Sequence, residues 1–349
     1  MDTRVCRLYA EGDIRIETET VADPGPGEVL VAVAAGGICG SDLHYYRHGG
    51  FGPIRVREPI ILGHEAAGRV VATGPDVTTL NPGMAVAINP SRPCGTCRYC
   101  AEGMPTHCLD MQFRGSAMRM PHVQGLFRER IVVEAGQCVP VPDGVDIGAA
   151  ACSEPLAVCL HARNMAGPLA GKRVLITGAG PIGVLCAAVA RDAGAEEIVV
   201  TDLQDAALDT ARAMGATRTL NVARDGDAMA AYGAEKGHFH VAFECSAAAP
   251  AQHAAIAALR PQGALVQLGI AGDLPLPVNV VVGKEIRVQG SFRFHAEFAE
   301  AVSAIAEGRI DVRPMISARF PLERAREAFE MAGDRSRAVK VHLGFESAL

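Results

Sequence analysis

The sequence predicts an α/β protein built from two units, and three observations carry that prediction. Short apolar segments broken by Gly and Pro fill roughly the first 145 residues, strands and helices alternate from about 174 to 268, and the last segment returns to a strand pattern. Residues 1–150 and 291–349 are expected to form a largely β, barrel-like unit. Residues 151–290 are expected to form a doubly wound parallel sheet with helices on both faces.

In the first unit Val29–Ala35, Ala67–Thr73, Met84–Ile88 and Arg130–Glu134 have the apolar, β-branched character of strands. Gly25-Pro26-Gly27, Gly74-Pro75-Asp76 and Asn81-Pro82-Gly83 divide them; proline presets one turn dihedral and glycine admits the left-handed one. The texture changes after Glu154. Val174–Thr177 reads as a strand, Ile182–Ala193 as an Ala-rich helix and Ile198–Thr201 as a second strand. A helix at Gln204–Met214, a strand near 241–244, a helix at 250–260 and a strand at 264–268 follow. Beyond 290 come helices at 296–307 and 322–332, then a strand at Ala338–Leu343 expected to rejoin the first unit.

Charged residues make up 21% and hydrophobic ones 49%, the balance of a globular protein. A net charge of −6 gives no electrostatic basis for binding nucleic acid or a membrane surface. The longest apolar runs, near 29–38 and 174–200, are short or interrupted, so no membrane span is expected. MDTRVCRLYAEGD lacks an apolar core and a cleavage pattern, and eleven cysteines suit a reducing compartment; a cytoplasmic protein is expected. Cys6, Cys138, Cys159, Cys186 and Cys245 sit in apolar settings and read as small buried hydrophobes.

Four cysteines carry more information: Cys94-x2-Cys97-x2-Cys100-x7-Cys108. Thiolates at three-residue steps on a turn, closed by a fourth, can meet around one tetrahedral zinc at about 2.3 Å per bond. Such a site has no open position, so it holds a loop and does no chemistry. Buried free thiols or two disulfides are the alternatives, and three-residue steps suit them less well.

Gly178-Ala179-Gly180-Pro181-Ile182-Gly183 follows a predicted strand and opens a predicted helix. In that context the first glycine permits the turn, the second admits a pyrophosphate and the third lets helix and strand pack closely. Asp202 ends the next strand, where a carboxylate accepts both hydroxyls of an adenosine ribose. It would repel a 2′-phosphate, and Leu203 and Gln204 offer that phosphate no cation. The residues therefore point to NAD rather than NADP.

Cys39, His64, Glu65 and Glu154 are candidate ligands of a second zinc, a mixed shell with room for water or substrate. Spacing alone does not bring them together. The motifs Gly37-Ile38-Cys39-Gly40-Ser41-Asp42-Leu43-His44-Tyr45-Tyr46, Gly63-His64-Glu65, the cysteine lobe, Glu154-Pro155-Leu156 and Gly178–Gly183 with Asp202 together resemble one family nearly end to end. It is the zinc-dependent medium-chain alcohol dehydrogenases, polyol group, beside sorbitol dehydrogenase. In alcohol dehydrogenases of that family the position matching Glu154 is a cysteine; in sorbitol dehydrogenases it is a glutamate, as here. Cys152, two residues earlier, is set aside on that alignment.

The resemblance implies a GroES-like β-barrel catalytic domain and a Rossmann NAD-binding domain. It implies one catalytic zinc on Cys39, His64, Glu65 and Glu154, one structural zinc on the lobe, and a proton route through Ser41 and His44. A turn serine and a surface histidine are the plain alternatives for those two. Tyr45, Arg293 and Arg114 would contact substrate; Leu268, Ser291, Phe292 and Arg293 would line the cofactor. Ala87-Ile88-Asn89-Pro90-Ser91, Gly115-Ser116-Ala117-Met118 with Pro121-His122-Val123, and Gly283–Ile286 with Gly290–Phe294 resemble the sugar-acid-oxidising branch more closely. That branch implies a cation for the substrate carboxylate, with Arg293, Arg114, Arg119 and His122 as candidates. A neutral polyol of the sorbitol or xylitol type is the alternative substrate, and a non-enzymatic member of the fold a distant one. A homodimer or homotetramer is implied, joined near 264–290.

Overall fold

A computed structural model describes residues 1–270 and 272–345; the last four residues of the expected range 291–349 lie outside the described residues. The spine of the first unit is the strand Glu28–Gly37. Its run of Val and Ala is buried nearly throughout, as a strand covered on both faces must be. It pairs antiparallel with Glu65–Thr73, Arg130–Glu134 and Lys340–Gly344. Cys138–Val141 and Ala85–Ile88 extend the seven-stranded sheet on one side and Ile316–Pro321 on the other. A three-stranded sheet of Asp13–Thr20, Asp2–Ala10 and Ile60–Ile61 closes over the same core, where Val5, Leu8, Ile60 and Ile61 meet Val29, Val31 and Val33. The last strand does rejoin the first unit: His342 stands opposite Gly37.

The second unit is a wholly parallel six-stranded sheet, in the order Arg218–Asn221, Glu197–Asp202, Arg173–Thr177, Phe239–Glu244, Leu259–Gln267, Arg287–Gly290. The chain order reverses between Arg173–Thr177 and Phe239–Glu244, and a ligand crevice opens at such a switch point. Alternate residues of these strands face opposite ways. Val174, Ile176, Val241 and Phe243 pack under Ser153–Ala166 and Pro181–Asp192, while Leu175 and Ala242 pack under Ala249–Ala258. Among the described residues no helix is long and apolar enough to cross a membrane.

Three features differ from the pattern expected. Helices Gly40–His48 and Ser153–Ala166 carry no clear apolar period in sequence, because polar site residues interrupt their buried faces. Helix Glu297–Ala306, grouped by sequence with the first unit, docks instead on Ser153–Ala166. Phe298, Ala301 and Val302 enter the core of the parallel sheet, with His161 Nδ1 2.9 Å from Glu297 Oε1 and Arg163 Nη1 donating to Glu300 at 2.9 Å.

Gly183 shows why the third glycine of the motif is needed. A Cβ there would overlap the backbone carbonyl of Gly178, which cannot move without breaking the turn. A Cβ at Gly180 would meet only the tip of Arg335, 3.0 Å away. Gly183→Ala should therefore cost about 1–3 kcal/mol in chemical denaturation, the range for forcing atoms into a packed core. Gly180→Ala should cost well under half of that, and equal costs would contradict this packing.

Candidate active site

Cys39 caps helix Gly40–His48, and Asp42, three residues on, accepts a hydrogen bond from the Cys39 N–H at 3.0 Å. The same carboxylate accepts from Gly63 N–H at 3.2 Å and lies 3.7 Å from His64 Nδ1. One fully buried Asp thus ties the residue bearing the thiol to the segment bearing the imidazole. Donor atoms of Cys39, His64 and Glu65 come within 4.8 Å of one another. Glu154, in the first turn of Ser153–Ala166, stands beside this group rather than within it.

The electrostatics suit a cation. Burial pushes the Asp42 carboxyl up, and burial also lifts Glu154 to about 7, with Glu65 acting in the same sense against His64. Burial opposes a charge on His64, yet Asp42, Cys39 and Glu154 hold it well above the usual imidazole range. A thiol, an imidazole and three buried carboxylates, outnumbering the buried Lys340 and the half-buried Arg293, form a donor set that fits zinc.

Glu65 is not free. Both its oxygens accept from Lys340 Nζ at 2.7 Å, and each side chain is only 1% exposed. Lys340 Nζ also donates to the carbonyl of Ile38, next to Cys39, at 3.1 Å. A side chain at Gly37 would overlap the Glu65 carboxylate, so that position must be glycine. Asp42 and Lys340 are the residues sequence reading missed; a carboxylate three residues after a helix-capping cysteine is the signal that could have found Asp42.

The four lobe cysteines converge as their spacing implied. Cys97 Sγ lies 3.6 Å from Cys100 Sγ and 3.9 Å from Cys108 Sγ, and none is in a disulfide. A zinc–thiolate tetrahedron has an edge of about 3.8 Å, so the sulfurs are already spaced for the ion. Backbone amides of Thr96 and Cys97 pull the Cys94 thiol down to about 6, ready to ligate. Between the lobe and Arg293 runs a cleft of about 320 Å³, walled by Tyr99, Thr106, His107, Met118 and Phe292.

At the switch point Gly178 has φ +89° and Gly180 caps helix Pro181–Asp192, with Pro181 in its first turn and Ile182 half-buried behind it. Asp202 accepts from the amides of Ala179, Leu203 and Gln204 at 2.6, 2.7 and 2.9 Å. Leu268 follows the strand Leu259–Gln267, and its N–H donates to the Glu244 carbonyl at 2.9 Å. Ser291, with a buried hydroxyl lacking a partner among the described residues, follows Arg287–Gly290. Phe292 stacks on His107 with centroids 6.3 Å apart.

The substrate candidates separate sharply. Tyr45 is buried, its hydroxyl 3.4 Å from Ala117 N. Arg293, at φ +54°, lays its guanidinium 4.0 Å over the Phe113 ring, which also lies against His64 at 5.5 Å. Arg114 turns away: alternation along the chain sends Phe113 into the site and Arg114 to Val132, Arg92 and Cys138, where burial drops it to about 10. The expectation that Arg114 touches substrate is thereby corrected. Arg119 pairs with Asp110 at the surface, and His122 bonds the backbone of Arg57 and Arg119. Of the four cations proposed for a carboxylate, only Arg293 reaches the metal-ligand group.

Lys340→Met should cost about 3–5 kcal/mol in urea unfolding, because it leaves Glu65 buried and unpaired. Adding Glu65→Gln should recover part of that loss; a single-variant cost below about 1 kcal/mol would refute the pairing. Metal analysis should find about two zinc per chain, and about one in Cys100→Ser together with a lower Tm.

Residues 25–143 match the family described as alcohol dehydrogenase GroES-like domain, and residues 181–307 the family described as zinc-binding dehydrogenase. The chain is 42% identical over 344 residues to L-idonate 5-dehydrogenase (NAD(P)(+)) of Escherichia coli, covering 98% of this chain and 99% of that protein. It is 36% identical to the sorbitol dehydrogenase of Gallus gallus, covering 96% of this chain and 94% of that one. The crystal structure of L-idonate 5-dehydrogenase from Escherichia coli superposes with a TM-score of 0.95 over 99% of both chains. That of 2R,3R-butanediol dehydrogenase from Bacillus subtilis, 27% identical, gives 0.88 over 98% of this chain and 99% of that one. With its barrel, parallel sheet and two clustered ligand sets, this chain is an oxidoreductase of the zinc-binding alcohol dehydrogenase family.

Proposed function

We propose that this enzyme oxidises a secondary hydroxyl of a sugar acid, L-idonate at C5 to 5-keto-D-gluconate, with a nicotinamide dinucleotide as hydride acceptor. The observation that carries this reading is Arg293. Its guanidinium is held over Phe113 beside the metal-ligand group, and it pairs with no carboxylate within 4 Å among the described residues. A half-buried guanidinium that forms no direct ion pair favours an anionic ligand, and a planar carboxylate matches it bidentately. The relative named for L-idonate is 42% identical, which supports the same substrate.

Cys39 and His64 would hold the catalytic zinc, with Glu154 and Glu65 as the further carboxylates. Bound there, zinc supplies Lewis acidity that makes a hydroxyl easier to deprotonate, and NAD supplies the hydride acceptor. Asp42, 3.7 Å from Nδ1, would orient the His64 ring for such a role, and Lys340 holds the Glu65 carboxylate in place through both its oxygens. Ser41 and His44 lie three residues apart on helix Gly40–His48, so they share a face leading outward from Cys39. Partial burial and the neighbouring His48 hold His44 below the usual imidazole range, leaving it free to accept the released proton. Gly178–Gly183 would receive the pyrophosphate and Asp202 the ribose, with Leu268, Ser291 and Phe292 toward the nicotinamide. The lobe cysteines would hold the structural zinc that fixes one wall of the substrate cleft.

A neutral polyol of the sorbitol type is the second reading, favoured by relatives near 36% identity and by the glutamate at 154. We also propose a cytoplasmic homo-oligomer. Eleven unpaired cysteines suit a reducing compartment. The edge strand Arg287–Gly290 is exposed along its length, with Val288 bare on it and Val282 bare in the helix before it, and such an edge favours pairing with a second copy.

Steady-state assays across L-idonate, sorbitol, xylitol, galactitol and L-threonine test the substrate. L-idonate should give the highest kcat/KM, and a neutral polyol exceeding it about tenfold would overturn the reading. Arg293→Met should lower kcat/KM for L-idonate at least about tenfold more than for sorbitol, with Arg293→Lys between.

A further inference from the structure

The sequence around Asp202 offers a 2′-phosphate no cation, yet the folded chain brings one from far away. Arg335 lies between helix Ala325–Ala332 and strand Lys340–Gly344, in a turn where Asp334 accepts from the Ser336 N–H and hydroxyl at 3.1 and 2.6 Å. That turn carries the Arg335 guanidinium across the cleft to within 3.8 Å of Asp202 Oδ2. The same side chain is 60% exposed, so it is free to reorient toward a ligand.

Two further observations bear on charge at this rim. Three backbone N–H groups already donate to the Asp202 carboxylate, which spreads its charge. Asp205, the next acid along the rim, is paired with Arg224 at 2.6 Å and bonded by Asn221 Nδ2 at 2.9 Å. Both acids that would repel a 2′-phosphate are therefore compensated, one of them by a cation that forms no other ion pair or hydrogen bond among the described residues and whose tip lies over Gly180.

We propose that Arg335 is the residue that admits the 2′-phosphate of NADP, so that the Asp202–Arg335 pair sets cofactor choice in this enzyme. Asp202 receives the ribose hydroxyls of NAD, and Arg335 turns from Asp202 to the phosphate when NADP binds. An arginine beside the ribose acid is the known physical means of tolerating that group, and here it comes from the other unit of the chain. The proposal rests on the dinucleotide reading of the Gly178–Gly183 cleft.

Binding titrations of the zinc-loaded enzyme with NADH and NADPH, without substrate, test it. The unaltered protein should bind NADPH within about tenfold of NADH, with a steeper loss of NADPH affinity as salt is raised. Arg335→Ala should weaken NADPH about tenfold or more and NADH less than about twofold, and Arg335→Lys should keep part of the NADPH affinity. Asp202→Asn should shift preference toward NADPH. Competition by 2′-AMP should weaken in Arg335→Ala while competition by 5′-AMP holds. Equal weakening of NADH and NADPH would assign Arg335 to the pyrophosphate and overturn the proposal. No change in either, or NADH binding without NADPH binding in the unaltered protein, would also overturn it. Binding of neither nucleotide would overturn the dinucleotide reading and this proposal with it.

Discussion

The buried pair of Lys340 and Glu65 is the interaction on which the catalytic arrangement depends. It joins residues 275 apart, one on the strand Lys340–Gly344 and one next to His64. Neither charge reaches water, so the pair stands only because both carboxylate oxygens and the Ile38 carbonyl satisfy the ammonium. Burial works against the charge of Lys340, but Glu65 and Cys39 outweigh it and raise its pKa. The same ammonium therefore fixes the backbone next to Cys39 and the carboxylate next to His64. Gly37 leaves the room this requires.

Around that pair the two sheets divide the work. The first supplies rigid strands from which Cys39, His64 and Glu65 converge, with Asp42 binding the two loops together from beneath. The second presents its crevice where strand order reverses, and Glu154 stands beside the Cys39–His64–Glu65 group from the helix that opens this unit. The cysteine lobe is no mere appendage to this plan. Its His107 stacks on Phe292 and its Tyr99 and Thr106 wall the cleft that ends at Arg293, so its order shapes that cleft.

Legibility in the sequence followed the range of the interaction. The cysteine lobe and the Gly178–Gly183 turn were readable because each is local: ligand spacing and turn geometry lie within about fifteen residues. Strands with continuous apolar runs, such as Glu28–Gly37, were readable for the same reason. Helix Gly40–His48 was not, because Ser41, Asp42 and His44 replace the apolar stripe that marks a helix. Arg114 and Arg293 looked alike as cations; only the direction of each side chain, set by alternation around Phe113, separates them.

By itself the sequence determined the α/β class, the two units, the convergence of the four lobe cysteines and the Gly178–Gly183 turn, since short-range stereochemistry and hydrophobic periodicity specify all four. Tertiary structure alone decided what sits around the reacting centre. It drew Glu65 back onto Lys340, aimed Arg293 at the ligand group, packed helix Glu297–Ala306 on the parallel sheet and carried Arg335 to Asp202. Those contacts join residues scores to hundreds of positions apart, and charge pairing at that distance leaves no periodic trace in the chain.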